Sequence, residues 1–121
     1  MDTNKYNSDK EANRISQLML DKKALDITIM DVRKITTLTD FFVVCTSESE
    51  PQTRAITDHI NEKMKEEGIK SWHTEGYQNL EWVLIDFVNI VVHIFNEETR
   101  EYYALERLWA DGKITMVNDK K

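Results

Sequence analysis

Apolar residues near the amino terminus recur every three or four positions, which is the spacing of one helix face. Ser8, followed three positions later by Glu11, forms a capping box, a pairing that satisfies free amide groups at a helix start. The pattern predicts a first helix over residues 9–22, with no arrangement of catalytic residues on it. Its apolar stripe consists of Ala12, Ile15, Leu18 and Met19.

Two stretches rich in β-branched and aromatic residues follow and predict strands. The first strand is built around Ile27, Ile29 and Val32, and the second spans residues 41–46. The threonine-rich run over 36–39 connects them. Both stretches are apolar enough to be inner strands of a sheet.

Local signals at both ends predict a second helix. Ser49 and Gln52 form another capping box, and Pro51 lies in the first turn. Gly68 marks the end of the helix, because glycine readily adopts the left-handed conformation there. The helix carries one apolar stripe that can pack on a sheet, formed by Ile56, Ile60 and Met64.

The strongest strand signals are the runs over 80–87 and 90–95. If Val88 and Asn89 form a two-residue turn between them, Phe87 faces Ile90. Alternation along the two strands then places a fully apolar set on one face, which we expect to be core. This set is Val83, Ile85, Phe87, Ile90, Val92 and Ile94.

The segments on either side of this hairpin give weaker signals. Residues 69–74 are a strand candidate that is broken at Glu75-Gly76. Asn96 can cap a final helix over 97–109, and the segment 112–121 is expected to be a polar, frayed tail.

The predicted order is helix, two strands, helix, three strands, helix. This interleaving predicts an α/β fold in which helices pack on a mixed β-sheet of about five strands. With 121 residues, 14.3 kDa and 40% hydrophobic residues, the chain is expected to build a single core. The helix within 1–24 therefore belongs to the same domain as 25–111, and 112–121 follows as the tail.

Charge and cysteine content restrict the function classes. Sixteen basic against 22 acidic residues give a net charge of −6, which disfavours direct binding to nucleic acid. Cys45 has no second cysteine for an intrachain disulfide or a cysteine-based zinc site, which fits a reducing compartment. Since no apolar run is long enough to span a bilayer, we expect a cytoplasmic protein.

The second face of the predicted hairpin mixes aromatic and ionisable residues. Asp86 and His93 become diagonal neighbours there, and such a pair can serve as half of an acid/base device. No serine or cysteine nucleophile stands at a recognisable position, so a purely structural hydrogen bond between the two is the competing interpretation.

A nucleotidyl-transfer site is the second catalytic possibility. Carboxylates near the strand ends could converge on divalent cations, namely Asp26, Asp31, Asp40 and Asp86. However, the stretch Thr46–Glu50 contains two acidic residues where a glycine-rich phosphate loop would be needed. We therefore expect a protein that is not an enzyme and needs no cofactor.

The predicted final helix carries a candidate interface. Tyr103 points nearly opposite to the apolar stripe of this helix and lies beside Arg100 and Arg107. The stripe consists of Tyr102, Leu105, Leu108 and Trp109. Tyrosine and arginine are enriched at binding hot spots. The alternative is that the Tyr103 ring lies over the arginine side chains on a solvated face.

Several ordered blocks of this chain closely resemble the ribosomal silencing factor family, also called the Iojap family. The resemblance runs from about Leu25 to Trp109. The blocks are LTDFFVVCT over 38–46, EG at 75–76, WVLID over 82–86, IVVHIF over 90–95 and REYYALERLW over 100–109.

The resemblance implies a nucleotidyltransferase-like core without an active site, and a repressor that is not an enzyme. Such a protein binds the large ribosomal subunit through ribosomal protein L-fourteen and sterically blocks joining of the small subunit. Members of the family commonly form dimers, so a homodimer is expected, and residues 25–111 form the silencing factor domain.

The family resemblance also indicates which residues contact the partner, because its binding surface is formed by the hairpin and the final helix. Trp82 and Tyr103 are the expected anchors, and Arg100, Leu108 and Trp109 shape or contact the surface, with Leu108 and Trp109 alternatively serving the core. The chain departs from the family pattern at two loops, with Ser47 in place of a glycine and Val88-Asn89 in place of a Gly-Asp turn.

Overall fold

The structure is a computed structural model that describes residues 8–99 and the backbone of the strand over 113–117. Two helices and six strands occupy these ranges. In chain order they are α1 (Ser8–Asp21), β1 (Leu25–Asp31), β2 (Phe41–Ser47), α2 (Glu50–Glu66), β3 (His73–Glu75), β4 (Trp82–Asp86), β5 (Ile90–Asn96) and β6 (Lys113–Val117).

The strands form one mixed sheet in the order β3-β4-β5-β2-β1-β6. β2 and β5 run parallel, and the other neighbours pair antiparallel. Both α1 and α2 pack on the same face of this sheet, where their apolar stripes meet the inward residues of the strands. The predicted α/β architecture with helices on a mixed sheet is confirmed.

Helix α2 follows its local sequence signals closely. The Ser49 hydroxyl accepts a hydrogen bond from the Gln52 amide at 3.1 Å, as the predicted cap requires. Gly68 adopts a φ of 88°, and the next amide, of Ile69, donates to the Met64 carbonyl at 2.8 Å. This pattern closes the helix end through a left-handed glycine.

Helix α1 begins at Ser8 and ends at Asp21, close to the predicted bounds. The Ser8 hydroxyl donates to the carboxylate of Asp40, in the segment that leads into β2. At the other end, the Gln52 side-chain amide donates to the carbonyl groups of Lys22 and Lys23, both at 3.0 Å. Side chains from elsewhere in the fold therefore anchor both ends of the helix.

The β4–β5 hairpin has the predicted two-residue turn. The Phe87 amide donates to the Ile90 carbonyl at 2.9 Å, and the apolar set on the helix-covered face is buried throughout. Val88 adopts a φ of 78°, which is unusual for a β-branched residue. Its amide donates to Asp86 Oδ1 at 2.7 Å, so a side chain from the adjoining strand supports the turn.

The segment after Gly112 differs from the expectation of a frayed tail. Lys113–Val117 form the edge strand β6, which pairs antiparallel with β1 over five residues and raises the strand number to six. The strand forms because the edge of β1 offers backbone amide and carbonyl groups with which this segment can pair. The polar composition of the segment does not show this pairing.

The predicted final helix is described only at its start. Residues 97–99 are helical, and the Asn96 side-chain oxygen accepts a hydrogen bond from the Thr99 amide at 2.8 Å, as a cap does. The remainder of this predicted helix lies outside the described residues. Over the described ranges, no helix has the length and apolar character needed to cross a membrane.

Candidate functional site

The sheet has a second face, opposite α1 and α2, that collects aromatic side chains. Strand alternation places Trp82 and Leu84 of β4 on this face, together with His93 and Phe95 of β5. Phe42 of β2 joins them, because β2 and β5 are neighbours in parallel register. We call this side the second face; its residues Val44 and Phe95 are buried.

The aromatic rings on the second face contact one another. The centroids of the Trp82 and Phe95 rings lie 5.0 Å apart. The Phe42 ring meets the His93 ring edge-on, with 4.9 Å between the centroids. The rings of His93 and Phe95 are stacked at 6.0 Å. Trp82, the predicted anchor, is therefore half-buried in a cluster that holds its ring in one orientation.

His93 is the polar centre of this cluster. The Trp82 indole N–H donates to His93 Nδ1 at 3.0 Å. Because an indole nitrogen can only donate, Nδ1 must accept, and the proton of the neutral imidazole lies on Nε2. Burial lowers the pKa of His93 to about 4, so the ring is neutral near pH 7.

The expected pairing of Asp86 with His93 is wrong. Asp86 Oδ1 accepts from the Val88 amide of the turn, and His93 Nδ1 is occupied by Trp82. The reason is local: the strained turn at Val88 needs an acceptor that Asp86 can supply two residues away. Neither the structural hydrogen bond nor the acid/base dyad between these residues exists.

A groove that is lined mainly by apolar side chains borders the aromatic cluster. It has a volume of about 580 Å³, and its lining includes Phe42, Val91 and His93. Leu38 and Trp72 stand at its rim, with exposed fractions of 86% and 72%. We call it the sheet groove; exposed apolar side chains gathered in this way mark interaction surfaces.

Leu38 and Trp72 are site residues that the sequence pattern did not predict. Each stands alone among polar neighbours, at the end of the 36–39 connector and just before β3. A large apolar residue isolated in a polar segment is the signal that could have drawn attention to them. Their meeting at one groove depends on the sheet order, which places β3 beside β4 and leads the connector into β2.

The carboxylates considered for metal binding do not converge. Asp31 pairs with Arg33 at 2.6 Å, Asp40 accepts from Ser8, and Asp86 supports the turn. Within the described residues, no group of three or more potential ligand side chains could hold a metal ion.

The other predicted contact residues lie outside the described part of the chain. These are Arg100, Tyr103, Leu108 and Trp109. Trp82 is thus the one predicted site residue whose surroundings the structure describes.

Comparison with known proteins gives one consistent relationship. A family model described as "Ribosomal silencing factor during starvation" matches residues 5–121. A protein of Halalkalibacterium halodurans named "Ribosomal silencing factor RsfS" is 41% identical over 92 residues, covering 76% of this chain and 79% of the relative. The Bacillus subtilis protein of the same name is 38% identical over 94 residues, covering 78% and 80%.

More distant relatives and a solved structure agree. "Protein Iojap, chloroplastic" from Zea mays is 34% identical over 93 residues, covering 74% of this chain and 39% of that protein. A crystal structure of a Chromobacterium violaceum protein superposes with a TM-score of 0.80 at 32% identity, covering 93% of this chain and 95% of that one.

Proposed function

Because the chain belongs to the ribosomal silencing factor family, we propose that it binds the large ribosomal subunit and sterically blocks its association with the small subunit. Ribosome-associated silencing is the role that the family name carries, and the family is regulatory rather than catalytic. The direct partner in this proposal is ribosomal protein L-fourteen, the protein acts in the cytoplasm, and it forms a homodimer.

The observation that carries the proposal is the apolar surface around the sheet groove. Leu38, Trp72 and Val88 are exposed there, and Trp82 lies next to it through its hydrogen bond to His93. A protein that acts by occlusion needs a stable contact and no reacting groups, and clustered aromatic residues supply such a contact.

The charge of the chain supports a protein partner over bare RNA. A net charge of −6 is repelled by a phosphate backbone, whereas it is complementary to a basic ribosomal protein. Electrostatic attraction of this kind accelerates association and fixes orientation more than it sets affinity.

In this proposal Trp82 and Tyr103 anchor the contact, while Arg100, Leu108 and Trp109 shape or contact the surface. The Trp82 indole N–H already donates to His93. Trp82 therefore contacts the partner through the apolar surface of its ring, and the hydrogen bond to His93 fixes the orientation of that ring.

The competing enzymatic function, with Asp86 and His93 as an acid/base pair, receives no support from the geometry. The two side chains do not bond, and burial lowers the pKa of His93 to about 4, well below the range useful to a general base at neutral pH. A rise in melting temperature on adding nucleotide and Mg²⁺ would favour the enzyme.

Subunit reassociation tests the proposal directly. Light scattering on mixing purified large and small subunits should show slower or reduced joining when the large subunit is first saturated with this protein. Co-sedimentation should place the protein on the large subunit and not on the small one. Unchanged joining at saturating protein, or no binding to the large subunit, would overturn the proposal.

A further inference from the structure

Two polar atoms in the sheet groove have no hydrogen-bond partner among the described residues. They are His93 Nε2 and Thr39 Oγ1, on side chains that both line the groove. The two residues are only 5% and 7% exposed. Buried polar atoms are almost always paired in native proteins, so two unpaired atoms in one groove indicate a site that a ligand completes.

The chemistry of each atom is defined. Because Trp82 occupies His93 Nδ1, the Nε2 atom carries a proton and can only donate. The ring is neutral near pH 7, so it presents a directional donor without a charge. The Thr39 hydroxyl can accept as well as donate.

A peptide group supplies the acceptor and the donor that these two atoms lack. Its carbonyl oxygen accepts from His93 Nε2, and an amide N–H donates to the Thr39 hydroxyl. The adjoining walls, which include Phe42, Leu84 and Val91, are suited to an apolar side chain on the same segment. A mainly apolar cleft with a few polar groups is the usual form of a peptide or ligand site.

The negative charge in and around the groove indicates that a bound peptide segment carries a positive charge. Asp86 alone is charged among the described residues that line the groove, and the chain as a whole has a net charge of −6. A lysine or arginine next to the apolar side chain therefore complements both the local carboxylate and the overall field.

We propose that the sheet groove binds a short segment of the ribosomal protein partner, with an apolar side chain against Phe42 and Val91 and a peptide group held by His93 and Thr39. A basic residue of the same segment faces Asp86. This inference rests on the proposed function and specifies the chemistry by which the partner is recognised.

Both atoms are covered in the free protein, so a ligand can reach them only if side chains of the groove move. Leu38 and Trp72 are 86% and 72% exposed, so little packing opposes their movement. An entering apolar side chain would replace the contacts that they give up.

Thr39→Val is the cleanest test, because it removes the hydroxyl at nearly constant volume. In the free protein the hydroxyl has no partner, so the melting temperature should stay unchanged or rise. Affinity for the large subunit, measured by co-sedimentation, should fall about fivefold through the lost hydrogen bond.

Thr57→Val is the matched control. Its buried hydroxyl donates to the Thr53 carbonyl at 2.8 Å within α2, away from the groove. This variant should lose stability while its folded form binds the large subunit as tightly as the parent, the opposite pattern to Thr39→Val.

His93→Phe and His93→Gln test the donor. Phenylalanine lacks any donor, so affinity should fall about tenfold, whereas glutamine can restore an N–H and should bind more tightly than the phenylalanine variant. Nuclear magnetic resonance of ¹⁵N-histidine-labelled parent protein keeps the test decisive if either variant fails to fold. Adding isolated ribosomal protein L-fourteen should shift the His93 Nε2 resonance and slow exchange of its proton.

The outcomes separate the two proposals. If the parent binds the large subunit and both Thr39→Val and the phenylalanine variant bind equally well, with an unchanged His93 resonance, the groove inference fails and the silencing proposal stands. The same result is expected if a resident water alone satisfies the two atoms. If the substitutions change self-association instead, the occupant is a second copy and the inference is overturned. If the parent does not bind the large subunit, both proposals fail.

Discussion

At the scale of single residues, backbone conformation decides where glycine is required. Gly68 and Gly76 both have positive φ, at 88° and 85°, but their surroundings differ. A Cβ on Gly68 would meet no atom within 4 Å, whereas a Cβ on Gly76 would lie 2.1 Å from the Trp82 carbonyl oxygen. Gly76 thus permits the close approach of the loop to the start of β4, where Trp82 lies.

These two glycines give the first prediction. Gly68→Ala should lower the free energy of unfolding by about 1 kcal/mol, the cost of a left-handed conformation for a residue with a Cβ. Gly76→Ala should cost clearly more, because the loop must also move away from Trp82. Urea unfolding of both variants measures the difference, and equal losses would show that the contact with Trp82 relaxes freely.

Histidine burial gives a prediction on pH. Burial lowers the pKa of His93 from 6.5 to about 4, so the unfolded chain takes up a proton first as pH falls. The stability that depends on a neutral His93 is therefore fully present above pH 6.5 and is lost as the pH falls from 6.5 to 4. The full loss lowers the free energy of unfolding by about 3 kcal/mol. The parent should therefore lose more stability than His93→Gln between pH 7 and pH 4.5 in urea unfolding, and parallel pH profiles would contradict this.

At the scale of elements, predictability follows how local the determining interactions are. Helix α2 could be predicted in full because its cap at Ser49, its stripe and its glycine stop all lie within its own sequence. Strand β6 could not, because its pairing partner is the edge of β1, more than 80 residues away in sequence. The predicted hydrogen bond between Asp86 and His93 was wrong for a related reason. A diagonal position on a sheet brings two side chains near each other, but it does not show which neighbour each of them bonds.

Strand β6 is open to a direct test. Thr115 pairs with Ile29 in the middle of the β1–β6 ladder. Thr115→Pro should destabilise the domain by about 2 to 3 kcal/mol, since proline removes an amide and its ring does not fit within a ladder. Thermal melting measures the loss, and a melting temperature equal to that of the parent would show that β6 adds little to the stability of the sheet.

The predicted final helix makes a prediction about binding. From helical spacing, Tyr103 points away from the stripe that contains Leu105. Tyr103→Ala should weaken large-subunit binding about thirtyfold and barely change the melting temperature, because loss of a hot-spot aromatic costs about 2 kcal/mol. Leu105→Ala is the control and should destabilise the fold by about 2 to 5 kcal/mol. If Tyr103→Ala melts like the control, Tyr103 belongs to the core.

At the scale of the whole molecule, the site is a product of topology. The periodicity of β4 and β5 already indicated a mixed aromatic and ionisable face, and Trp82 lies on it as predicted. Leu38 and Trp72 could not be assigned to it from sequence, because they are 34 positions apart and belong to no apolar pattern. Only the sheet order brings the two segments to the same groove.

Trp72 provides the test of the groove as a binding surface of the whole protein. Its side chain is 72% exposed, so Trp72→Ala should change the free energy of unfolding by less than about 0.5 kcal/mol. Its loss from a binding surface should weaken large-subunit binding by about 2 kcal/mol, or thirtyfold. Co-sedimentation across a range of protein concentrations, with urea unfolding of the same samples, separates the two effects.

Tyr77→Ala is the matched aromatic control for Trp72→Ala, because the Tyr77 hydroxyl bonds Asp58 of α2 on the helix-covered side of the sheet. Its removal should leave large-subunit binding intact and cost a small amount of stability. If Trp72→Ala and Tyr77→Ala both bind like the parent, the exposed apolar rim is not a contact surface. The contact would then have to rest on Trp82 and Tyr103, and the acidic character of the chain would act through other parts of its surface.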